Sequence, residues 1–219
     1  GNQSIKLKKI MAEFESSTFG KMSGRLGKVV AVKRNGKNFL REYTVPANPQ
    51  TLKQQANRMK FRFVNLSLTP LRQVIKRGYL DTQAFPKVCS KVLKTAVEGE
   101  YPDFAIDFSK LQLADGTLPP VEMVTAETRK STSEVIVKWQ IAPEGQLQGN
   151  ADDKISLVFF DEATGSCFFH ENISSRSDQM VTVLLPETNK ENPLHCWAYL
   201  STNNGNMNSP SVYIGQLKW

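Results

Sequence analysis

The sequence predicts an α+β protein, with an N-terminal β-hairpin plus helices followed by a C-terminal all-β sandwich. Apolar residues recur at helical spacing within residues 52–96. Asp115-Gly116 and Pro119-Pro120 then form a stretch that is typical of a linker. Short β-prone segments separated by turn residues follow this stretch. These three observations predict two modules, residues 11–114 and residues 120–219.

The hairpin is predicted from two β-prone segments, residues 29–32 and 38–43, that are joined around Asn35-Gly36. A type I′ turn requires positive φ at both central positions, and Asn-Gly satisfies this requirement well. The tip of the hairpin would display Lys33, Arg34 and Lys37.

A first helix is expected to begin at Asn48-Pro49, with Asn48 as N-cap and Pro49 in the first turn. Its apolar residues follow a 4-3-4-3 spacing, which gathers them into one stripe that must pack on something. Packing within the chain or against a sister subunit is favoured over insertion into a nucleic-acid groove. The stripe consists of Leu52, Ala56, Met59, Phe63 and Leu66.

A second amphipathic helix is predicted from about Thr82 to Val97, after a break at Pro70 and one or two further helical turns. Gly99 is expected to stop this helix. Its buried side is predicted to contain Phe85, Val88, Cys89, Val92 and Ala96.

Seven strands are predicted after the linker, which is the size of one β-sandwich domain. They are Met123–Glu127, Glu134–Gln140, Lys154–Asp161, Ser166–Asn172, Gln179–Leu185, Leu194–Ser201 and Ser211–Leu217.

Three segments of this module are similar to parts of a fibronectin type III domain. Val135-x-Val137-x-Trp139 fits the second strand, Leu184-Leu185-Pro186 precedes the sixth, and residues 203–211 fit the final hairpin. The resemblance implies a fibronectin/immunoglobulin-like sandwich. The sixth strand departs from the pattern, because it lacks the tyrosine near its start that ties down a loop in that superfamily.

The sixth strand alternates in a way that leaves two orientations open. We favour Leu194, Cys196, Ala198 and Leu200 pointing inward, which places Trp197 and Tyr199 on the outer face. Phe160 on a neighbouring strand would extend this outer group into an aromatic stripe. An exposed stripe would be a protein-interaction site. The alternative is that another part of the same chain, such as the N-terminal helices, covers it.

Charge is distributed unevenly along the chain. Residues 1–100 contain 20 Lys and Arg against 6 Asp and Glu, a net charge of +14, and the remaining residues contain 8 against 15, a net charge of −7. Such a basic region attracts polyanions. Solubility, an acidic surface of a neighbouring subunit and an anionic membrane surface are alternative explanations. The candidate polyanion-binding residues are Lys33, Arg34, Lys37, Arg58, Arg62 and Arg77.

The sequence offers little that is typical of an enzyme, and we expect a non-enzymatic protein without cofactor, metal or small-molecule substrate. Its only histidines are His170 and His195, and pairing either with Cys167 or Cys196 would require adjacent strands and a shared face. No run is long and apolar enough to span a membrane. The unpaired cysteine pattern favours a reducing cytoplasm, with secretion as the alternative if a signal peptide has been trimmed.

The whole chain from residue 20 onwards resembles a family of uncharacterised bacterial proteins known as a domain of unknown function. The matching stretches are residues 20–30, Asn48-Pro49-Gln50-Thr51 with Gln54 and Gln55, residues 101–110 and residues 211–215. The resemblance implies no established activity and transfers no functional residue. Similar Asn-Pro-x-Thr-x-x-Gln signatures suggest, by analogy, a phage or mobile-element particle.

The expected function is therefore that of an interaction or assembly protein. The β-sandwich would act as a protein-binding platform and the basic N-terminal module as its anchor. A protein partner or self-association is the expected mode of binding, and nucleic acid is the alternative partner. The two hypotheses differ in their salt dependence, because polyanion binding weakens steeply with salt whereas the expected self-association is insensitive to it.

Overall fold

The computed structural model describes residues 11–13, 24–45, 50–129, 132–141, 149–186 and 192–218, with the backbone alone for residues 11–13. The chain divides into two compact units, residues 1–50 and residues 51–219, which we call the N-terminal and C-terminal units. The division into modules 11–114 and 120–219 stays a prediction.

The N-terminal unit contains a four-stranded antiparallel sheet. Its strands are β1 (Met11–Glu13), β2 (Gly24–Leu26), β3 (Val29–Arg34) and β4 (Lys37–Glu42), in the order β1-β4-β3-β2. Asn35 and Gly36 have φ values of 50° and 81° between β3 and β4, and Arg34 pairs with Lys37. The predicted hairpin is therefore confirmed, because both central residues have the positive φ of a type I′ turn.

Three α-helices open the C-terminal unit. They are α1 (Leu52–Leu68), α2 (Arg72–Gly78) and α3 (Ala84–Thr95), with a 3-10 turn at Thr69–Leu71 between the first two. The predicted break at Pro70 is confirmed by this 3-10 turn.

The expected start of the first helix was wrong. The N-cap is Thr51, whose hydroxyl accepts a hydrogen bond from the Gln54 amide at 3.3 Å. This hydroxyl satisfies one of the amides that the first helical turn leaves without an intrahelical partner. Asn48 and Pro49, which had been expected at the start, lie outside the described residues.

The second amphipathic helix has the predicted buried side: Phe85, Val88, Cys89, Val92 and Ala96 are all buried. It ends at Thr95, earlier than expected, because the chain passes at once into a small antiparallel hairpin of β5 (Val97–Glu100) and β6 (Asp103–Ile106). Gly99 lies within β5 with a φ of +82° and so belongs to the hairpin rather than to a helix stop.

The seven strands predicted after the linker are all present. They are β7 (Glu122–Arg129), β8 (Glu134–Gln140), β9 (Lys154–Asp161), β10 (Ser166–Ser175), β11 (Met180–Leu184), β12 (Leu194–Ser201) and β13 (Val212–Leu217). They form a four-stranded sheet in the order β10-β9-β12-β13 and a three-stranded sheet in the order β11-β8-β7. The predicted α+β class with a C-terminal sandwich is thus confirmed.

The C-terminal unit has three layers, with the four-stranded sheet in the middle. One hydrophobic core lies between the two sheets and includes Val135, Val137, Leu157 and Cys196. A second core lies between the four-stranded sheet and the helical segment, and includes Val88. Strands β9 and β12 contribute residues to both cores, which explains why nearly every residue along them is buried.

Asn208 joins the last hairpin of the sandwich to the helical layer. Its side-chain amide donates hydrogen bonds to the carbonyl oxygens of Arg77 at 2.9 Å and Gly78 at 2.8 Å, at the end of α2. These two oxygens belong to the last helical turn, and they also accept backbone amides from beyond the helix, Leu80 to Arg77 and Asp115 to Gly78, each at 3.3 Å. The buried amide of Asn208 therefore caps α2 and holds the β12–β13 connection against it.

A buried ion pair lies beside Trp139, between Asp153 just before β9 and Arg176 just after β10. Arg176 donates to Oδ2 of Asp153 from both Nε and Nη2, at 3.3 and 3.2 Å, and its side chain is 3% exposed. Arg176 also donates to the Pro119 carbonyl at 2.8 Å, and its own carbonyl accepts the Trp139 indole N–H at 2.8 Å. The other carboxylate oxygen of Asp153 has no hydrogen-bond partner among the described residues. Arg176 is thus the counterion that stabilises the buried Asp153 carboxylate.

We expect Arg176→Met to lower the free energy of unfolding by about 3–5 kcal/mol, because it leaves the Asp153 carboxylate buried without its counterion. Urea denaturation followed by tryptophan fluorescence measures the change. Arg129→Met is the matched control, since Arg129 forms a solvent-exposed pair with Glu134 at 3.8 Å, which is worth less than about 1 kcal/mol. Equal costs for the two variants would contradict the role of the buried pair.

Candidate interaction surfaces

The predicted aromatic stripe is buried. Trp197 is 0% exposed, and Tyr199 and Phe160 are each 2% exposed. The Trp197 indole N–H donates to the Leu111 carbonyl at 3.1 Å, and the Phe108 ring lies edge-on to it, with centroids 6.3 Å apart. The expected exposed surface was therefore wrong, and the alternative that the helical part of the chain covers the stripe is confirmed.

The predicted inward orientation of the aliphatic residues is correct. Leu194, Cys196, Ala198 and Leu200 face the core between the two sheets, whereas Trp197 and Tyr199 face the helical layer. The apolar character of both alternating sets was the available signal, because a strand without polar positions is typical of burial on both faces.

The predicted stripe of α1 lies on the solvent side of the helix. The residues of α1 that are buried in the core are Val64 and Leu68. At 100° per residue, these residues lie on the opposite side of the helix from Leu52, Met59 and Leu66. The latter three are 44–76% exposed. The expectation that the stripe packs within this chain is wrong for these three residues, whereas packing against a sister subunit stays a prediction.

Basic residues border the exposed stripe of α1 on both sides. Arg58 and Arg62 project on one flank, and Lys53 on the other. Phe63 is half-buried, because its ring packs on that of Phe104 in β6, with centroids 6.2 Å apart. The remaining stripe is thus a narrow apolar surface between cations.

A second exposed apolar group lies on the outer face of the three-stranded sheet. Met123, Met180 and Leu184 are 54–73% exposed, and Ile136 is half-buried in their midst. We name these four residues the sheet patch. The three-stranded sheet is the layer furthest from the helices, so the sheet patch and the α1 stripe lie on the two outer layers of the unit.

Polar residues divide the sheet patch. Lys138 and Glu127 are 3.7 Å apart, and Arg129 and Glu134 are 3.8 Å apart, on the same outer face. Sequence reasoning missed the sheet patch, because isolated apolar residues at outward positions are also normal on a solvated face.

The predicted polyanion-binding residues fall into two groups in different units. Lys33, Arg34 and Lys37 lie in the N-terminal sheet and are exposed. Arg58, Arg62 and Arg77 lie on α1 and α2 of the C-terminal unit. Among them Arg77 donates to a Glu171 carboxylate oxygen at 3.1 Å, which reduces its net attraction for phosphate.

Four of the cations on strands β2, β3 and β4 of the N-terminal sheet lie on one face, and Lys33 lies on the other. Arg34 pairs with Lys37 and Val30 pairs with both Arg25 and Arg41, so these four cations share one face of the sheet. Lys33 pairs with Asn38 and points to the other face. The Arg25 guanidinium lies 3.7 Å from the centre of the Tyr43 ring, a cation–π contact that orients it.

The histidines and cysteines do not form a nucleophile–base pair. Cys167 and His195 share one face of the four-stranded sheet, but both pair with Phe160 on the strand between them. Two strand spacings put them about 9–10 Å apart. Burial raises the pKa of the Cys167 thiol to about 11, so that it stays protonated at neutral pH.

Cys196 and His170 do not form a nucleophile–base pair either. Cys196 and His170 lie on strands that do not adjoin, and their partners on the intervening β9 are Phe159 and Leu157. Burial also raises the pKa of the Cys196 thiol. Across the part of the chain that the structure describes, no group of three or more His, Cys, Asp or Glu is arranged to hold a metal ion.

His195 lies among aromatic rings and the polar side chains of Tyr213, Gln216 and Glu162. Its Nδ1 lies 2.9 Å from the Tyr213 hydroxyl, and its ring centroid lies 4.4 Å from that of Phe108. Burial lowers the pKa of the His195 imidazole, although the Glu162 carboxylate, 3.7 Å from Nε2, acts in the opposite direction. Burial also lowers the pKa of His170. Both imidazoles are therefore stabilised in their neutral form by folding.

We expect the free energy of unfolding to fall as the pH is lowered from 7 to 5. With lowered pKa values the folded histidines bind fewer protons than the unfolded ones, so stability is lost as the pH drops below the ordinary histidine pKa. Urea denaturation at several pH values measures the slope. The double variant His170→Asn/His195→Asn should flatten it between pH 5 and 7. An unchanged slope in the double variant would contradict the assignment.

Comparison with known proteins identifies the chain by family. No α-helix among the described residues is long and apolar enough to cross a membrane. A search of curated proteins finds no match. A family model described as "family of unknown function (DUF6266)" matches residues 21–215. This match spans both units and confirms the resemblance seen in the sequence. The chain belongs to the DUF6266 family of unknown function.

Proposed function

We propose that the protein is a non-enzymatic assembly protein whose copies bind one another head to tail, the α1 stripe of one copy against the sheet patch of the next. The observation that carries this proposal is the placement of two exposed apolar surfaces on the two outer layers of the C-terminal unit. Exposed apolar side chains grouped on one face and bordered by polar residues commonly mark sites of protein contact.

The sandwich supplies the platform in this proposal, and we infer that it is of the fibronectin type III-like kind. A four-stranded sheet packed on a three-stranded one, joined entirely by antiparallel pairing, supports this assignment. So does the buried Trp139 in β8, at the position the resemblance predicts. The free cysteines, Cys89, Cys167 and Cys196, support a reducing cytoplasm.

The spacing along α1 supports its role as the anchor. Residues at 4-3-4-3 intervals form a continuous seam on one side of a helix, which is the arrangement that packs against another apolar surface. Met59 and Leu66 lie one heptad apart on that seam and are both exposed. Both side chains can therefore pack against a partner while the core of the C-terminal unit stays unchanged.

The cations that border the α1 stripe favour one arrangement of two copies over another. They disfavour contact between two α1 helices and favour contact of the stripe with a different surface of the next copy. Two stripes facing each other would bring Arg58, Arg62 and Lys53 against their own counterparts, and like charges at that distance destabilise a helix pair. The outer face of the three-stranded sheet instead carries both signs of charge, Glu127 beside Lys138 and Glu134 beside Arg129, so it lacks the purely cationic border of a second stripe. The acidic excess of residues 101–219 acts in the same direction.

A contact between two different surfaces is heterologous, and it repeats until a ring closes or a filament grows. Such a repeating arrangement fits the particle role that the Asn-Pro-x-Thr-x-x-Gln signature suggests by analogy. The wild-type protein should therefore form species larger than a dimer as its concentration rises. Because the seam is apolar, these species should persist from 150 to 500 mM NaCl.

Sedimentation velocity of the full chain tests the proposal with two variants. Met59→Glu/Leu66→Glu alters the stripe, and Met180→Lys/Leu184→Lys alters the sheet patch. Each variant alone should be monomeric where the wild type assembles, with association weakened more than about tenfold, because a buried charge without a partner costs at least about 1.4 kcal/mol. An equimolar mixture of the two should form a 1:1 dimer, since each variant keeps one intact surface.

Asn57→Glu is the matched control for the stripe variant, because Asn57 is exposed on α1 away from the stripe. It should assemble like the wild type. A wild type that is monomeric at every concentration would overturn the proposal. A mixture that stays monomeric would overturn the head-to-tail arrangement and indicate pairing of identical surfaces instead.

A further inference from the structure

We propose that one face of the N-terminal sheet is a binding site for single-stranded nucleic acid. The site is formed by Arg25, Arg34, Lys37 and Arg41 around the ring of Phe39. This inference does not rest on the assembly proposal, because it concerns a different unit of the chain and different residues.

The strand registers place these residues on a common face. Val30 pairs with Arg41 in β4 and with Arg25 in β2, and Val32 pairs with Phe39. Directly paired residues point to the same side of an antiparallel sheet, and so do residues two positions apart along a strand. All four cations are exposed, and Phe39 is half-buried.

The two faces of the sheet differ sharply in charge. The face with Phe39 carries four cations on β2, β3 and β4, and the register of β1 places one acidic residue, Glu13, opposite Phe39. The opposite face carries Leu26, Val29, Ala31 and Leu40, with one cation, Lys33, and one acid, Glu42. The Phe39 face therefore has an excess of positive charge that the opposite face lacks, which favours an anionic partner.

The tip of the hairpin places two of the four cations at one cleft. Arg34 and Lys37 are directly opposed across the hairpin. They border an open cleft that Asn35 and Phe39 also line. A phosphate bound in this cleft would lie beside both cations and next to the Phe39 ring.

The aromatic ring favours single-stranded nucleic acid over other polyanions. Along β4, Lys37, Phe39 and Arg41 alternate on one face at intervals of about 6.8 Å. Proteins that bind single strands without sequence preference combine cations that contact the backbone with an aromatic ring on which a base stacks. A duplex keeps its bases paired within the helix and offers the ring no base, and a sulfated sugar has none.

Fluorescence anisotropy of the full chain with a labelled 20-nucleotide oligothymidine tests the inference. With four phosphate contacts, the logarithm of the binding constant should fall against the logarithm of the salt concentration with a slope of about −2.8. Arg34→Glu and Arg41→Glu should each weaken binding by about tenfold or more at 100 mM salt. Lys33→Glu makes the same change in net charge one residue away, on the other face, and should weaken binding less than about threefold.

A second matched pair tests the ring. Phe39→Ala should weaken binding by about fivefold or more, through loss of base stacking, whereas Leu40→Ala on the other face should not. Phe39→Tyr should bind like the wild type, because it keeps an aromatic ring. This result would show that the loss in Phe39→Ala comes from lost stacking and not from lost folding. Circular dichroism establishes that each variant retains its strands. The stripe variant Met59→Glu/Leu66→Glu should bind the oligonucleotide like the wild type.

Three outcomes would overturn the inference. Absence of binding at 50 mM salt is the first. Equal losses in Lys33→Glu and Arg34→Glu would show a response to net charge alone. Equal affinity for duplex DNA, heparin or phosphatidylserine vesicles, together with an unaffected Phe39→Ala, would show a general anion-binding surface. Each of these leaves the assembly proposal untouched, because sedimentation of the stripe and sheet-patch variants measures it separately.

Discussion

The fold of the C-terminal unit depends on a single constraint, the burial of both faces of the four-stranded sheet. Strands β9 and β12 lie at its centre, and every side chain of β12 is buried, alternately against the second sheet and against the helical layer. Trp197 occupies the middle of the helical side and donates its indole proton to Leu111. Removing the helices would expose this aromatic surface to water, so the helical segment is part of the sandwich's stability rather than an appendage to it.

Burial of the central sheet moves the surfaces available for contact to the periphery. The residues first suspected of binding, Trp197, Tyr199 and Phe160, hold the layers together. What remains exposed is the far side of α1, the outer face of the three-stranded sheet and the charged face of the N-terminal sheet. The exposed side chains of these surfaces are not part of either core. A partner can therefore bind there without any rearrangement of the core.

Much of the fold could be predicted from the sequence. The Asn35-Gly36 hairpin and the seven sandwich strands follow from turn chemistry and from β-prone segments of regular length, both of which are local signals. The start of α1 and the orientation of its apolar residues could not be predicted, because α1 is apolar on two sides. Leu52, Met59 and Leu66 form the better heptad, but Val64 and Leu68 face the core. Tertiary packing decided between them. The candidate surfaces were harder still, since exposure depends on which layers cover a strand, and no local pattern contains that information.

The double burial of β9 and β12 also has a consequence for how this chain can vary. A strand with one solvated face tolerates exchange at every second residue, as the alternating exposure along β7 illustrates. In β12 no position offers that freedom, because enlarging or shrinking any side chain disturbs one of two close-packed interiors. Divergence among related chains should therefore be least along the middle of the central sheet and greatest on the outward residues of β7 and β11, leaving the contact surfaces free to change their specificity while the scaffold beneath them stays the same.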